Sequence, residues 1–105
     1  MSDRQRLPNR RPHESISIEH HGIMYMAGIG RFPDGRIAEI FLSTSKVGTA
    51  VDTQARDAAI LASFALQFGA PADDLRRALT RNADGSACGL VGRLLDQLAA
   101  DGGTP

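Results

Sequence analysis

Residues 15–20 (SISIEH) alternate polar and apolar, so that Ile16 and Ile18 share one face. That period of two marks a half-exposed strand at a sheet edge. His21-Gly22 supplies a turn, and residues 23–32 (IMYMAGIGRF) form a second strand with apolar side chains on both faces. Gly28 and Gly30 fall on one face of it, a spacing that predicts a bulge or the close approach of another backbone. Pro33-Asp34-Gly35 is a turn, since Pro presets φ, Asp tolerates turn geometry and Gly accepts a positive φ. A third strand over 36–42 (RIAEIFL) then pairs back on the second as a hairpin. The three strands make a meander.

Beyond Ser43 the period changes. Thr49 is placed to cap a helix, with Asp52 in the position of a capping-box acid. Asp52 and Arg56, four apart, can pair on its surface. The helix should run to about Phe68, with Gly69 closing it and Pro71 opening the next helix at its first turn. Polar side chains fade along it: from Ala58 to Phe68 only Ser63 and Gln67 are polar. A surface helix shows one apolar stripe. This one offers Ala58, Leu61, Ala62, Ala65 and Leu66 on one side and Ile60, Phe64 and Phe68 towards another. One side can cover the sheet; the other must meet the C-terminal helix, a second copy of the chain, or a partner.

A second helix over 71–80 carries Asp73 and Asp74 at its start and Arg76 and Arg77 later, which suits the helix dipole. Asn82–Gly85 is a loop, and a third helix over about 89–100 puts Leu90, Leu94, Leu95 and Leu98 on one side. The expected fold class is α+β, a three-stranded antiparallel β-meander followed by three helices packed on it. Residues 1–14 read as a basic flexible arm, 15–100 as a single domain, and 101–105 as a disordered tail.

With 105 residues the chain suits one domain. Twelve basic and twelve acidic residues cancel, but within residues 1–12 Arg4, Arg6, Arg10 and Arg11 face only Asp3. A neutral body with a basic arm lacks the charge signature of a nucleic-acid binder. Cys88 is the single cysteine, so an intramolecular disulfide and a multi-cysteine zinc site are excluded and a reducing compartment is the simplest reading. The N-terminus has no apolar signal region, and no apolar run approaches the ~20 residues that span a bilayer. A cytoplasmic location without membrane contact is expected.

Candidate chemistry is sparse. The loop Ser43–Thr49 leads into a helix N-terminus, where free N–H groups and the dipole attract anions. Lys46, Gly48, Thr49 and Arg56 are the candidate anion or nucleotide-phosphate set, although the Walker order is not met because the Lys precedes the Gly. Glu39 shares a strand face with Ile37 and Phe41 and is expected to pair with Lys46 or Arg56; as a general base it lacks a second positioned group. Arg56 and Asp57 read as a salt-bridged lid on the core. His20 and His21, as neighbours in a strand, would project to opposite faces and not readily share a metal, so they read as a solvated pair beside the turn. Cys88 has no resolving thiol and reads as an inert helix-start residue. No catalytic set and no metal set is expected. Partner contacts are assigned to Ile60, Phe64 and Phe68, with Arg10 and Arg11.

Several segments together carry a resemblance: the Arg10-Arg11 pair, Gly22 to Tyr25 (GIMY), Gly30 to Leu42 (GRFPDGRIAEIFL), Lys46 and Gly48, Arg56 to Pro71 (RDAAILASFALQFGAP) and Leu75 to Leu79 (LRRAL). Over roughly residues 7–98 the chain resembles the TSCPD domain, a small domain towards the C-terminus of adenosylcobalamin-dependent ribonucleotide reductases. The Thr-Ser-Cys-Pro-Asp motif that names the domain is absent; Cys88 lies in SACGL. The resemblance implies a free-standing relative of a reductase appendage, linked to deoxyribonucleotide and DNA synthesis. It implies no cofactor in this chain, adenosylcobalamin belonging to the full reductase. Its expected partners are itself, as a homodimer, or a larger protein such as a ribonucleotide reductase. The alternative is a DNA-binding regulator in which residues 50–81 form a helix-turn-helix-like pair with Arg76, Arg77 and Arg81 on the second helix. A small enzyme using Glu39 with Lys46 ranks third.

Overall fold

The structure is a computed structural model that describes residues 3–8 and 13–102. Three strands, β1 (His13–His20), β2 (Ile23–Arg31) and β3 (Ile37–Ser43), form one antiparallel sheet in the order β1-β2-β3. Three helices follow, α1 (Ala50–Gln67), α2 (Ala72–Ala78) and α3 (Leu90–Gly102). The α+β meander-then-helices reading therefore holds. β1 begins two residues earlier than its alternation suggests, because His13 and Glu14 pair with Gly30 and Ile29. α3 continues through Gly102, past the residue where fraying was expected.

The turns follow from their residues. Gly35 and Gly22 both take positive φ, the conformation that glycine adopts without steric penalty. Asp34 closes its turn by accepting from the Arg36 N–H at 3.0 Å. The register slips by one residue between Gly30 and Arg31, so the expected bulge is present. The close approach at the two glycines comes from side chains rather than backbone. A Cβ on Gly30 would lie 2.5 Å from Glu39 Oε2, and one on Gly28 would lie 3.4 Å from the Phe41 ring.

α1 is capped at both ends. The Thr49 hydroxyl accepts from the Asp52 N–H at 3.2 Å. The reciprocal half of a capping box is missing, since the Asp52 carboxylate turns instead to Thr44 and Arg56. At the other end Gly69 takes a φ of 109°. Its N–H donates to Leu66 O and that of Ala70 to Ala65 O, the bonding pattern of a Schellman motif. Pro71 is extended and acts as the residue before α2 rather than as its first helical residue, which corrects the expected placement.

The core lies between the sheet and the helices. Ile18, Tyr25, Ala27, Ile29, Ile40 and Leu42 meet Ala55, Ala59, Ala62 and Leu66 of α1 and Val91, Leu94, Leu95 and Leu98 of α3. Each fully buried Leu contributes about 1.5–3 kcal/mol. Three of the four α1 residues in this core are alanines, which bring the helix backbone close to β3. That proximity lets α1 reach the free edge of the strand with polar side chains. Ser63 Oγ accepts from the Ile40 N–H at 2.9 Å and donates to the Ile40 carbonyl at 3.1 Å. Gln67 Nε2 donates to Ala38 O at 3.1 Å, and Asp52 Oδ1 accepts from the Thr44 N–H at 2.9 Å. An unpaired strand edge otherwise templates aggregation. Ser63→Ala leaves the Ile40 amide without its partner and should destabilise the domain by about 1–3 kcal/mol, read as a lower urea midpoint at unchanged slope.

Candidate functional site

Helical geometry sets what α1 shows to solvent. Ala55, Ala59, Ala62 and Leu66 turn towards the core, so the residues about half a turn away must face outward. At 3.6 residues per turn, Ile60, Phe64, Asp57, Phe68 and Leu61 occupy an arc of about 100°. Leu61 is 71% exposed, Ile60 52%, Phe64 43% and Phe68 40%. Past Asp57 the helix thus shows apolar side chains both to the core and to water, while Ser63 and Gln67 turn to the sheet edge. The Phe64 and Phe68 rings stack with centroids 6.4 Å apart.

The N-terminal segment docks on this helix. The Gln5 N–H donates to the Gln67 carbonyl at 2.7 Å, and Arg4 Nε donates to Gln67 Oε1 at 2.6 Å. The Arg4 guanidinium lies 4.2 Å from the centroid of the Phe64 ring, within cation–π range. Arg10 and Arg11, expected at a partner surface, lie outside the described residues.

Two hollows flank α1. One, of about 530 Å³, lies between the three helices and is lined by Val51, Ala58, Leu61, Leu75, Leu79 and Leu90, with His20 and Gln54 among its few polar groups. The other, of about 370 Å³, follows the β3 side and takes in Arg4, Glu39, Phe41, Arg56 and Phe64.

Glu39 is only 5% exposed. Its Oε2 lies 3.0 Å from His13 Nε2, and the His13 ring meets Phe41 edge-on at 5.4 Å. The expected pairing with Lys46 or Arg56 is replaced by one with His13, because β1 and β3 place residues 13 and 39 on either side of Gly30. Arg56 pairs instead with Asp52, Nε to Oδ2 at 2.7 Å. The Thr44 N–H first, and the Arg56 guanidinium second, hold the Asp52 carboxyl below its ordinary pKa. The predicted Arg56–Asp57 lid does not form: among the described residues Asp57 makes no hydrogen bond or ion pair.

The four residues of the candidate anion set part company. Lys46, Gly48 and Thr49 are exposed in the loop. The Thr49 hydroxyl, besides accepting from Asp52, donates to Lys46 O at 2.7 Å. Arg56 lies about two turns further on and is held by Asp52. Arg76 and Arg81 both reach Asp96 on α3, Arg81 through two bonds of 2.7 and 2.8 Å. Their charge therefore pins α2 and the following turn to α3.

His20 and His21 come together, contrary to the strand-neighbour argument. His21 leaves the strand with a φ of 51°, and the two ring centroids lie 4.0 Å apart. No group of three or more potential metal ligands occurs among the described residues. Cys88 Sγ donates to Asn82 Oδ1 at 2.9 Å.

Fold and surface together define a small α+β domain whose interior-facing polar groups are spent on architecture. The chain belongs to the TSCPD domain family, whose model matches residues 4–100. It is 36% identical over 78 residues to a vitamin B12-dependent ribonucleotide reductase of Agrobacterium fabrum, covering 74% of this chain. It is 32% identical over 80 residues to one of Bradyrhizobium diazoefficiens, covering 76% of this chain. The match spans 6% of the length of each of these relatives. No solved structure matches the chain. No described helix is long and apolar enough to cross a membrane.

Two measurements probe this geometry. Gly30→Ala forces Glu39 away from His13, and crowding of this kind should cost about 1–3 kcal/mol, measured by chemical denaturation. The second concerns His20, whose pKa is lowered by burial first and by the neighbouring His21 second, with the Cys88 backbone opposing and Arg93 adding to the fall. A base with a depressed folded pKa is protonated more readily unfolded. Its share of stability is full above the unfolded value of about 6.5 and is lost as pH falls from there through the folded value. Urea midpoints between neutral and mildly acidic pH should show that loss, and His20→Gln should flatten it.

Proposed function

We propose that this chain is a non-catalytic accessory and interaction domain serving a vitamin B12-dependent ribonucleotide reductase, and through it deoxyribonucleotide supply. The observation that carries the reading is the outward face of α1 past Asp57: it is apolar, while Ser63 and Gln67 are bound to the β3 edge. An apolar helix face without a cover within its own domain is the property of a docking surface. Family membership supplies the kind of partner, since the relatives named above are reductases of which this domain is a small share.

Catalysis by the chain alone has little support. Glu39 pairs with His13, and among the described residues the Lys46 side chain bonds neither. The two apolar hollows, about 530 and 370 Å³, are of a size for a side chain or a small ligand, so neither fits a corrin cofactor. Adenosylcobalamin in this proposal belongs to the partner.

The test is co-elution of the purified chain with purified vitamin B12-dependent ribonucleotide reductase, paired with reductase assays in its presence and absence. A complex at micromolar concentration is expected, with no reduction by the chain alone. Absence of both a complex and any effect on turnover would sink the accessory reading.

A further inference from the structure

The outward face of α1 is apolar but carries two charges that nothing within the described residues neutralises. Asp57 sits near the middle of the arc, towards the N-terminal half of the helix, and has no partner. Arg4 lies over Phe64, seven residues further along, and its described partners are the neutral Gln67 and the Phe64 ring. Seven residues correspond to about 10 Å along the axis. One acidic and one basic site therefore stand on a single apolar face, one on each side of Ile60 and Leu61.

Such a face is complementary to itself when one copy is turned end for end. A two-fold axis passing at Ile60 and Leu61 exchanges the Asp57 position with the Phe64 position. Each Asp57 then meets the partner's Arg4, and the exposed Leu61 and Ile60 side chains meet at the centre. Two-fold contacts have this property, the same patch serving both partners. The area is adequate. At roughly 200 Å² for a large apolar residue, the exposed fractions of Ile60, Leu61, Phe64 and Phe68 leave about 400 Å² per copy. Both copies together supply about 800 Å², and Asp57, Gln54 and Arg4 bring the total towards the ~1,000 Å² at which interfaces become specific.

We propose that the cover of this face is a second copy of the chain, packed antiparallel along α1 and held in register by reciprocal Asp57–Arg4 ion pairs. This rests on the reading of the α1 face as a docking surface and names what covers it when no reductase is bound. The arm is part of the interface, since Gln67 holds Arg4 where the second copy needs it.

Sedimentation equilibrium of the full chain over a range of micromolar concentrations tests the proposal. The wild type should reach the mass of two chains. Leu61→Glu, at a largely exposed position, should be monomeric with an unchanged circular dichroism spectrum. Asp57→Arg should weaken the dimer by about tenfold, the scale of a close interfacial charge pair. Arg4→Gln, which keeps a donor for Gln67 Oε1 but removes the charge, should weaken it by a similar factor. A wild type that stays monomeric throughout, or a dimer that Leu61→Glu leaves intact, overturns the proposal; a dimer that both Asp57→Arg and Arg4→Gln leave at full strength overturns the antiparallel register. The outcome is separable from reductase docking. A monomer that binds reductase removes only the second copy, and a dimer that binds none removes only the accessory role.

Discussion

The bond pair between Ser63 and Ile40 is the constraint from which the arrangement of this domain follows. A three-stranded meander has two edges, and an open edge exposes backbone groups that must find partners or attract another chain. Here a helix serves as the neighbouring strand for β3. Its serine hydroxyl both donates and accepts at one residue, its glutamine takes the carbonyl two residues earlier, and its aspartate takes an amide beyond the strand end. To do so α1 must lie close, hence the alanines at 55, 59 and 62. With Ser63 and Gln67 turned inward, the helix from Ala58 onward has only apolar residues left for its outer surface.

That account explains a pattern the sequence alone makes look contradictory. Ser63 and Gln67 are the only polar residues between Ala58 and Phe68, and a reader of the 3.6-residue period naturally assigns them to solvent. They belong instead to a polar stripe, with Asp52 and Arg56, that serves backbone groups. Polar side chains in a helix facing a sheet edge follow the same spacing as polar side chains facing water, so spacing alone does not separate the two. What distinguishes them is the company of alanines on the adjoining positions, a weak signal but a readable one.

Local features were the more legible ones. The Pro33-Asp34-Gly35 turn, the Thr49 cap, the Gly69 stop and the bulge at Gly30 all arise from the φ preferences or hydrogen-bonding reach of a few consecutive residues. One difference is long-range: the sequence points Glu39 to Lys46 or Arg56, whereas the strand register brings it to His13, twenty-six residues away. The other is local: the turn beginning at His21 is left-handed and rotates its ring back towards His20. The role of Gln67 as the meeting point of arm, helix and strand had no sequence signal beyond its isolation.

Gln67 also determines where the chain is delivered. Its backbone carbonyl and both ends of its amide hold Gln5, Arg4 and Ala38 at once. The polypeptide therefore arrives at the domain beside Phe64, at the edge of the apolar surface, rather than at a distant corner. Any segment joined ahead of Asp3 would be tethered there, and a short tether raises the local concentration of whatever it carries to the millimolar range. A sequence fused at that end would compete with other molecules for the helix on intramolecular terms, which makes the position of a tag a chemical variable in work with this domain.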